Sequence, residues 1–383
     1  MKPKLRRLSI QETPEGIALS DPTGVARQAL VLSPEAYYIA TLFNGTRSLE
    51  EVQELLLTQH GSMVPREKLE ELLKALEEAR FLETEEVKAE LEARRRALLE
   101  KPRPMALANV SYPAEREAFE AYMKTAAAFA PKVPAAGGGL VMPHLEPARV
   151  PGLYGAAVAA LGQTPPPERL LILGVAHQGL EEAAAALPTG LQTPFGVLEA
   201  DLEALQALDA LLPYELFNST LAFEGEHSIE FPAVFAHAAW PEANVKVLPL
   251  LIDGDPSRKG VLDELATALA LLARDYPLYP QASVDLSHVG ARFGHGPLDE
   301  NLAERARNTD LRYLELLAAG DFTAAWEHLM NPGNPTYVDA YAAVHAGHKL
   351  FSGKGEVAGY HLSPELPTLS AVGAGVVVYK REM

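Results

Sequence analysis

Through the first 84 residues apolar side chains recur mainly at helical spacing. Ser33-Pro34-Glu35 reads as an N-cap with proline at the first helical position, and Tyr37, Tyr38, Ala40, Thr41 and Leu42 carry that helix to Asn44-Gly45. Ser48-Leu49-Glu50-Glu51 opens a second helix, with Val52, Leu55 and Leu56 on its apolar face. A third follows Val64-Pro65-Arg66-Glu67, with Leu69, Leu72, Leu73 and Leu76 in phase. Strand-like pieces between Ala18 and Leu32, and Phe81-Leu82 at the end, complete a small winged-helix-like α+β domain over residues 1–84.

The next stretch, Glu83 to Lys101, is dense in charge and has only Val87, Leu91 and Leu98 as a sparse stripe. It predicts a solvated helix that Pro102 and Pro104 stop. A further helix over Tyr112 to Ala130 and a Pro/Ala/Gly run make residues 85–138 a helical linker. From residue 139 the pattern changes. Leu140-Val141-Met142, Leu170 to Leu173, Val245 to Ile252, Ala282 to Leu286 and Gly375 to Tyr379 read as buried strands. They alternate with helical patterns at Leu202–Leu212, Arg258–Arg274, Asn301–Ala318, Thr323–Leu329 and Val338–Lys349. Such alternation predicts an α/β domain over 139–383, a central sheet flanked by helices.

Candidate chemistry gathers where two of these strands end. Leu140-Val141-Met142 runs into Pro143-His144, and Leu170 to Leu173 runs into Gly174-Val175-Ala176-His177. In an open α/β sheet, groups beyond the carboxyl ends of parallel strands line the ligand crevice. The competing explanation is that both histidines simply cap strands by bonding to backbone. Two more pieces mix histidine with carboxylate: Glu226-His227-Ser228-Ile229-Glu230 and Asp285-Leu286-Ser287-His288-Val289-Gly290. Imidazole and carboxylate are the donors that non-haem Fe(II), Mn or Zn would use. No local ligand motif is present, so the signal depends on the fold bringing these pieces together. Ser228 could equally serve as the N-cap of a helix entered through Phe231-Pro232. His295, in a glycine-flanked loop after Gly290, could fold over the site as a lid, whereas His345 and His348 lack a partner and read as structural. Gly137-Gly138-Gly139 precedes a strand and is no phosphate loop.

Charge and composition narrow the function classes. A formal net charge of -18 with no extended basic block disfavours nucleic acid. Without cysteine, the chain has no disulfide, thiolate-bound zinc or thiol nucleophile. No run approaches the ~18 apolar residues of a membrane span, and no apolar stretch follows the basic N-terminus, so a cytoplasmic protein is expected.

Taken in order, P-H, G-V-A-H, E-H-S-I-E-F-P, D-L-S-H-V-G and T-L-S-A-V-G-A-G resemble the Memo-like family, from about Gly139 to the C-terminus. That family is similar in structure to the catalytic subunits of class III extradiol ring-cleavage dioxygenases. In bacteria and archaea it is associated with a radical-SAM protein and a third partner, the AmmeMemoRadiSam system. The resemblance implies metal binding by His144 and His177, with Asp285 completing or orienting the site. It implies acid/base roles for His227 and His288, with Glu226 and Glu230 lining the pocket. The implied cofactor is Fe(II), with Mn or Zn as alternatives, and the implied ligand a small aromatic or modified peptide.

Three departures stand out. The family's P-H-A-G-Y is here Pro143-His144-Leu145-Glu146-Pro147, without the close-packing glycine, and the second histidine of G-P-S-H-H is Gln178. Where many members carry a Cys ligand, Thr336-Tyr337-Val338-Asp339-Ala340-Tyr341 has none. Either a carboxylate, Asp285, Asp339 or Glu146, completes the site, or the pocket is metal-free. The first 84 residues resemble small peptide-chaperone domains of the PqqD type, which bind peptide by strand addition. A second function class follows from them: a non-catalytic accessory protein that captures a peptide or partner protein.

Overall fold

The computed structural model describes residues 2–381 other than Pro22, Arg27, Ser62 and Ala340. The chain divides into two compact units, Met1–Ala97 and Leu98–Met383.

The first unit sets a three-stranded antiparallel sheet, β1 (Ser9–Thr13), β2 (Gly16–Ser20) and β3 (Leu30–Leu32), ahead of α1 (Pro34–Thr41), α2 (Leu49–His60) and α3 (Arg66–Glu78). Local chemistry starts each of the first two helices. Ser33 caps α1 by accepting the Ala36 N–H. At α2 the Ser48 hydroxyl accepts the Glu51 N–H while the Glu51 carboxylate accepts the Ser48 N–H at 2.6 Å, a reciprocal capping box. Leu19, Phe43, Val52, Leu69, Leu76 and Phe81 form the core. Beside it the buried Arg6 guanidinium pairs with Asp21 at 3.0 Å, a contact the apolar pattern did not announce. The division between the units falls in the last turn of α4 (Glu85–Glu100).

The second unit is built on an eight-stranded mixed sheet. After α5 (Arg116–Ala127) come β4 (Gly139–Met142), α6 (Pro151–Gly162), β5 (Arg169–Val175), β6 (Ala184–Ala186), the small hairpin β7 (Leu191–Thr193) and β8 (Gly196–Leu198), α7 (Leu202–Asp209), α8 (His227–Ala239), β9 (Lys246–Ile252) and α9 (Lys259–Leu272). β10 (Tyr279–Ser283), β11 (Asp285–Gly290), α10 (Glu300–Ala318), α11 (Phe322–Met330), α12 (Tyr341–Gly347), β12 (Lys354–Glu365) and β13 (Ser370–Lys380) complete it. The sheet order is β11-β13-β4-β10-β5-β9-β6, with β12 also paired to β13. Its centre, β4-β10-β5-β9, is parallel, and the flanking strands are antiparallel.

Alternate residues of the central strands feed two cores, one on each face. Val141, Leu171, Leu173, Leu248 and Leu250 pack with α7 and α9–α12, while Leu140, Met142, Leu170, Ile172 and Val247 pack with α5, α6 and α8. Burial on both faces explains why these strands read as unbroken apolar runs. Several elements differ from the sequence pattern. The strand expected over Ala282–Leu286 is two strands parting at Val284: β10 runs beside β4, and β11 turns away to pair with β13. The helix expected from Tyr112 starts at Arg116, because Pro113 biases its predecessor away from helical backbone. The helix expected from Val338 runs Tyr341–Gly347, with Ala340 outside the described residues. β12 escaped notice because its residues are mostly half-buried and lack a clean alternation.

Candidate metal centre

Three adjacent parallel strands deliver the first groups. β4 ends beside His144, β5 beside His177, and β10, lying between them, beside Ser283 and Asp285. This is the carboxyl edge of the sheet, where a ligand crevice is expected. His144 is fully buried, its Nδ1 3.0 Å from the Ser283 hydroxyl, and its Nε2 has no hydrogen-bond partner among the described residues. His177 presents Nδ1 to Glu226 Oε1 at 2.9 Å.

Glu226 also governs His227. The same Oε1 accepts the Ser228 N–H at 2.9 Å and lies 3.2 Å from His227 Nδ1. Glu226 is therefore the N-cap of α8, and Ser228, read from sequence as a possible cap, instead bonds through its hydroxyl to the Val175 N–H and C=O of β5. One carboxylate thus fixes two imidazoles. The His177 and His227 rings stack at 4.5 Å between centroids, and His144 meets both edge-on at 5.2 Å. A nitrogen from each of the three lies within 4.8 Å of the others, close enough to share one metal ion.

Asp339 arrives from the loop before α12. Its Oδ2 is 3.4 Å from His144 Nε2, 3.6 Å from His177 Nε2 and 3.9 Å from His288 Nε2, and its buried Oδ1 has no partner among the described residues. Ligand atoms ~2.0–2.2 Å from a tetrahedral metal stand about 3.3–3.6 Å apart. The spacing of Oδ2 from the two imidazoles and the unpartnered Nε2 of His144 therefore fit a metal at this point, with nitrogen and oxygen donors alone. The loop is pinned by Asn334, whose side-chain amide donates to the Val338 C=O at 2.7 Å and accepts the Val338 N–H at 3.0 Å. Tyr337 holds a left-handed φ of 52°, and its C=O lies 3.1 Å from His288 Nδ1.

Electrostatics point to a site that wants positive charge. Burial disfavours the imidazolium of His177, but Asp339 and Glu226 outweigh it and push the group up to about 10. Burial likewise opposes charge on His144, and Asp285 and Asp339 raise it above the usual range. Against the effect of burial, the neighbouring histidines hold Glu226 and Asp339 well below ordinary carboxylates.

The other candidates fall into place around this cluster. Asp285 sits 3.7 Å from His144 Nε2, but its Oδ1 accepts the backbone N–H groups of His144 and Leu145 at 3.1 and 2.8 Å, so it shapes the turn carrying His144. Glu230 faces away from the cavity: buried, it receives Arg103 at 2.7 Å, the Ala106 and Leu107 N–H groups and the Tyr112 hydroxyl. Glu146 is at the cavity rim, accepting the Ser111 hydroxyl. His295 bonds to the Pro335 C=O at 2.9 Å and packs on Tyr337, outside the cavity lining. His345 pairs with Asp263 at 2.7 Å and is not among the residues that line the cavity. Sequence reasoning did not single out Ser283, Asn334 or Arg103. Only Asn334 had a local signal, an Asn-Pro turn context.

Above the imidazoles opens a cavity of about 480 Å³. Leu107, Leu145, Phe231, Phe293 and Val372 line it together with polar groups that include Arg149, Arg292 and Glu365. Arg292 bonds Glu365 at 2.7 and 2.9 Å, and Arg149 bonds it at 2.9 Å.

A mixed α/β sheet that collects imidazoles and carboxylates at its carboxyl edge, under an apolar cavity, defines a candidate metal-pocket protein. The Memo-like protein family matches residues 103–378, and the chain belongs to that family. It is 51% identical over 334 residues to a MEMO1 family protein of Thermus thermophilus, covering 87% of this chain and 99% of that one. It is 29% identical over 388 residues to a MEMO1 family protein of Aquifex aeolicus, covering 99% and 100%. A crystal structure of an uncharacterized protein from Escherichia coli K12 aligns at 13% identity and a TM-score of 0.39, over 62% of this chain and 98% of the other. Among the described residues no helix is long and apolar enough to cross a membrane.

Proposed function

We propose that the protein is a divalent-metal protein whose centre is held by His144, His177 and His227, with Asp339 completing the donor set. The observation that carries this reading is the convergence of three imidazole nitrogens within 4.8 Å of one another, beside the half-buried Asp339 carboxylate 3.4 Å from His144 Nε2. Without thiolate, the donor set suits Fe(II), Mn or Zn better than copper. Bound there, such a metal would supply a Lewis acid to a substrate oxygen.

The chain's own residues suggest the remaining roles. Glu226 and the Ser283 hydroxyl engage the Nδ1 atoms of His177 and His144, leaving Nε2 toward the centre. His288, 3.9 Å from Asp339 and on the cavity wall, is placed to hold or move a proton at its Nε2. Leu107, Leu145, Phe231, Phe293 and Val372 give the cavity apolar surface beside its polar groups, so a small aromatic or other oxygenated ligand is the substrate class we assign. Ring-cleaving dioxygenase-like chemistry, and cooperation with a radical-SAM partner, rest on the family resemblance.

The test is anaerobic titration with Fe(II), Mn(II) and Zn(II), followed by oxygen uptake with simple catechols. Saturable one-site binding that is lost in His144→Ala/His177→Ala supports the centre. Binding without catechol-dependent oxygen uptake would leave a metal-binding accessory protein. The edge position of β1, whose first four residues are exposed, favours that second reading, with a peptide or partner strand added there.

A further inference from the structure

We infer that Asp310, a residue of α10 outside the cavity, is a positioning residue that holds a β-bulge in β11 and so places Asp285 and His288 on one face of the sheet. Residues three apart on a regular strand point to opposite faces. Asp285 and His288 are three apart, yet both line the cavity. The register explains how: Asp285 lies opposite Ala374 and His288 opposite Val372, so three steps on β11 match two on β13. The extra residue is a bulge, a device that re-aims side chains next to sites.

A bulge frees backbone groups from the ladder, and a buried free N–H is costly unless paired. Here the Ser287 N–H donates to Asp310 Oδ1 at 3.0 Å, and the Ser287 hydroxyl donates to the same oxygen at 2.6 Å. The Tyr360 hydroxyl of β12 donates to Oδ2 at 2.9 Å. Asp310 is fully buried. It reaches the bulge through space that only glycine leaves: a Cβ on Gly373 would stand 2.2 Å from Asp310 Oδ2. The consequence reaches the loop carrying Asp339. Beyond the bulge the His288 N–H donates to the Thr336 C=O at 2.7 Å, and His288 Nδ1 lies within 2.9 and 3.1 Å of the Leu286 and Tyr337 carbonyls. Asp310 thus sets both the side chain of His288 and the anchor of the Asp339 loop.

The inference stands on the geometry of β11 and needs no metal, so the test uses the full-length protein stripped of metal. Histidine ring-nitrogen NMR, with His288 assigned by His288→Gln, reads whether its Nδ1 is held as a donor. The wild type is expected to show a fixed Nδ1-protonated ring. Asp310→Ala and Gly373→Ala are each expected to release it, so that the ring averages between tautomers while circular dichroism stays that of the folded protein. Asp310→Asn keeps an acceptor oxygen for Ser287 and is expected to retain the wild-type signal. Gly373→Ala displaces the carboxylate without removing it and serves if Asp310→Ala does not fold. An unchanged His288 signal in folded Asp310→Ala or Gly373→Ala overturns the inference. So does loss of the signal in Asp310→Asn.

Discussion

His144 and Asp339, 195 positions apart in the chain, bring Nε2 and Oδ2 to 3.4 Å of each other at the carboxyl edge of the sheet. His144 Nε2 and Asp339 Oδ1 are both buried without a hydrogen-bond partner among the described residues. A buried polar atom left this way is costly, and a cation held between His144 Nε2 and Asp339 Oδ2 would relieve the histidine. Asp339→Ala is therefore expected to weaken Zn(II) or Fe(II) binding by more than the 10–100-fold typical of an outer partner. Asp339→Cys is expected to move preference toward softer metals. Competition titration against a chelator of known affinity measures both.

Glu226 is the shared partner of two imidazoles of the proposed centre, since one oxygen meets the Nδ1 atoms of His177 and His227. Glu226→Gln keeps the shape but weakens this orientation, and its amide can present a donor to an imidazole N–H. A roughly 10–100-fold loss of metal affinity is expected, with little change in helix content. Equal affinity in the variant would remove Glu226 from the site.

Glu230 is expected to behave differently, although it sits four residues on in the same motif. Its carboxylate is paired with Arg103 in the interior, with side chains 1% and 2% exposed. Removing one partner of a buried pair typically costs about 3–5 kcal/mol. Glu230→Ala should lower the thermal midpoint sharply while the folded fraction binds metal as the wild type does. A selective loss of metal affinity with unchanged stability would contradict this assignment.

Metal uptake should release protons. Asp339 and Glu226 outweigh burial to push His177 up to about 10, and His144 is raised as well, so near neutral pH a cation must displace their protons. Apparent affinity is expected to rise with pH from 6 to 8. Calorimetry in buffers of different ionisation enthalpy counts the protons released, and a pH-independent affinity would go against the prediction.

Asp310 gives a stability effect of opposite sign to an ordinary paired carboxylate. Burial pushes it up to about 7, only partly offset by bonds from Ser287 and Tyr360. An acid raised in the folded state stabilises fully below its unfolded value near 3.8 and loses that contribution as pH climbs through about 7. Wild-type stability should therefore fall between pH 4 and 7 relative to Asp310→Asn. Denaturant midpoints across that range, converging or not, decide it.

Much of the site was legible in the sequence, and the reasons are physical. His144 and His177 follow unbroken apolar runs, as strands buried on both faces show, and the carboxyl ends of such strands line the ligand crevice. His227 was legible beside Glu226, although its closeness to His144 and His177 needed the fold. What could not be read were pairings that depend on distant chain. Nothing local brings Asp339 rather than Glu146 up to His144 and His177, because its place depends on the loop that Asn334 pins. Glu230 looked like a pocket residue because its partner Arg103 lies 127 positions away. The bulge in β11 has no sequence mark at all, since it comes from a register with β13 and a carboxylate from α10.

The most direct test of the account is the metal content of protein purified without added metal or chelator, beside His144→Ala/His177→Ala prepared identically. The account predicts close to one Fe, Mn or Zn per wild-type chain and loss of that metal in a folded double variant. No metal in the wild type, even after anaerobic loading with Fe(II), would contradict it.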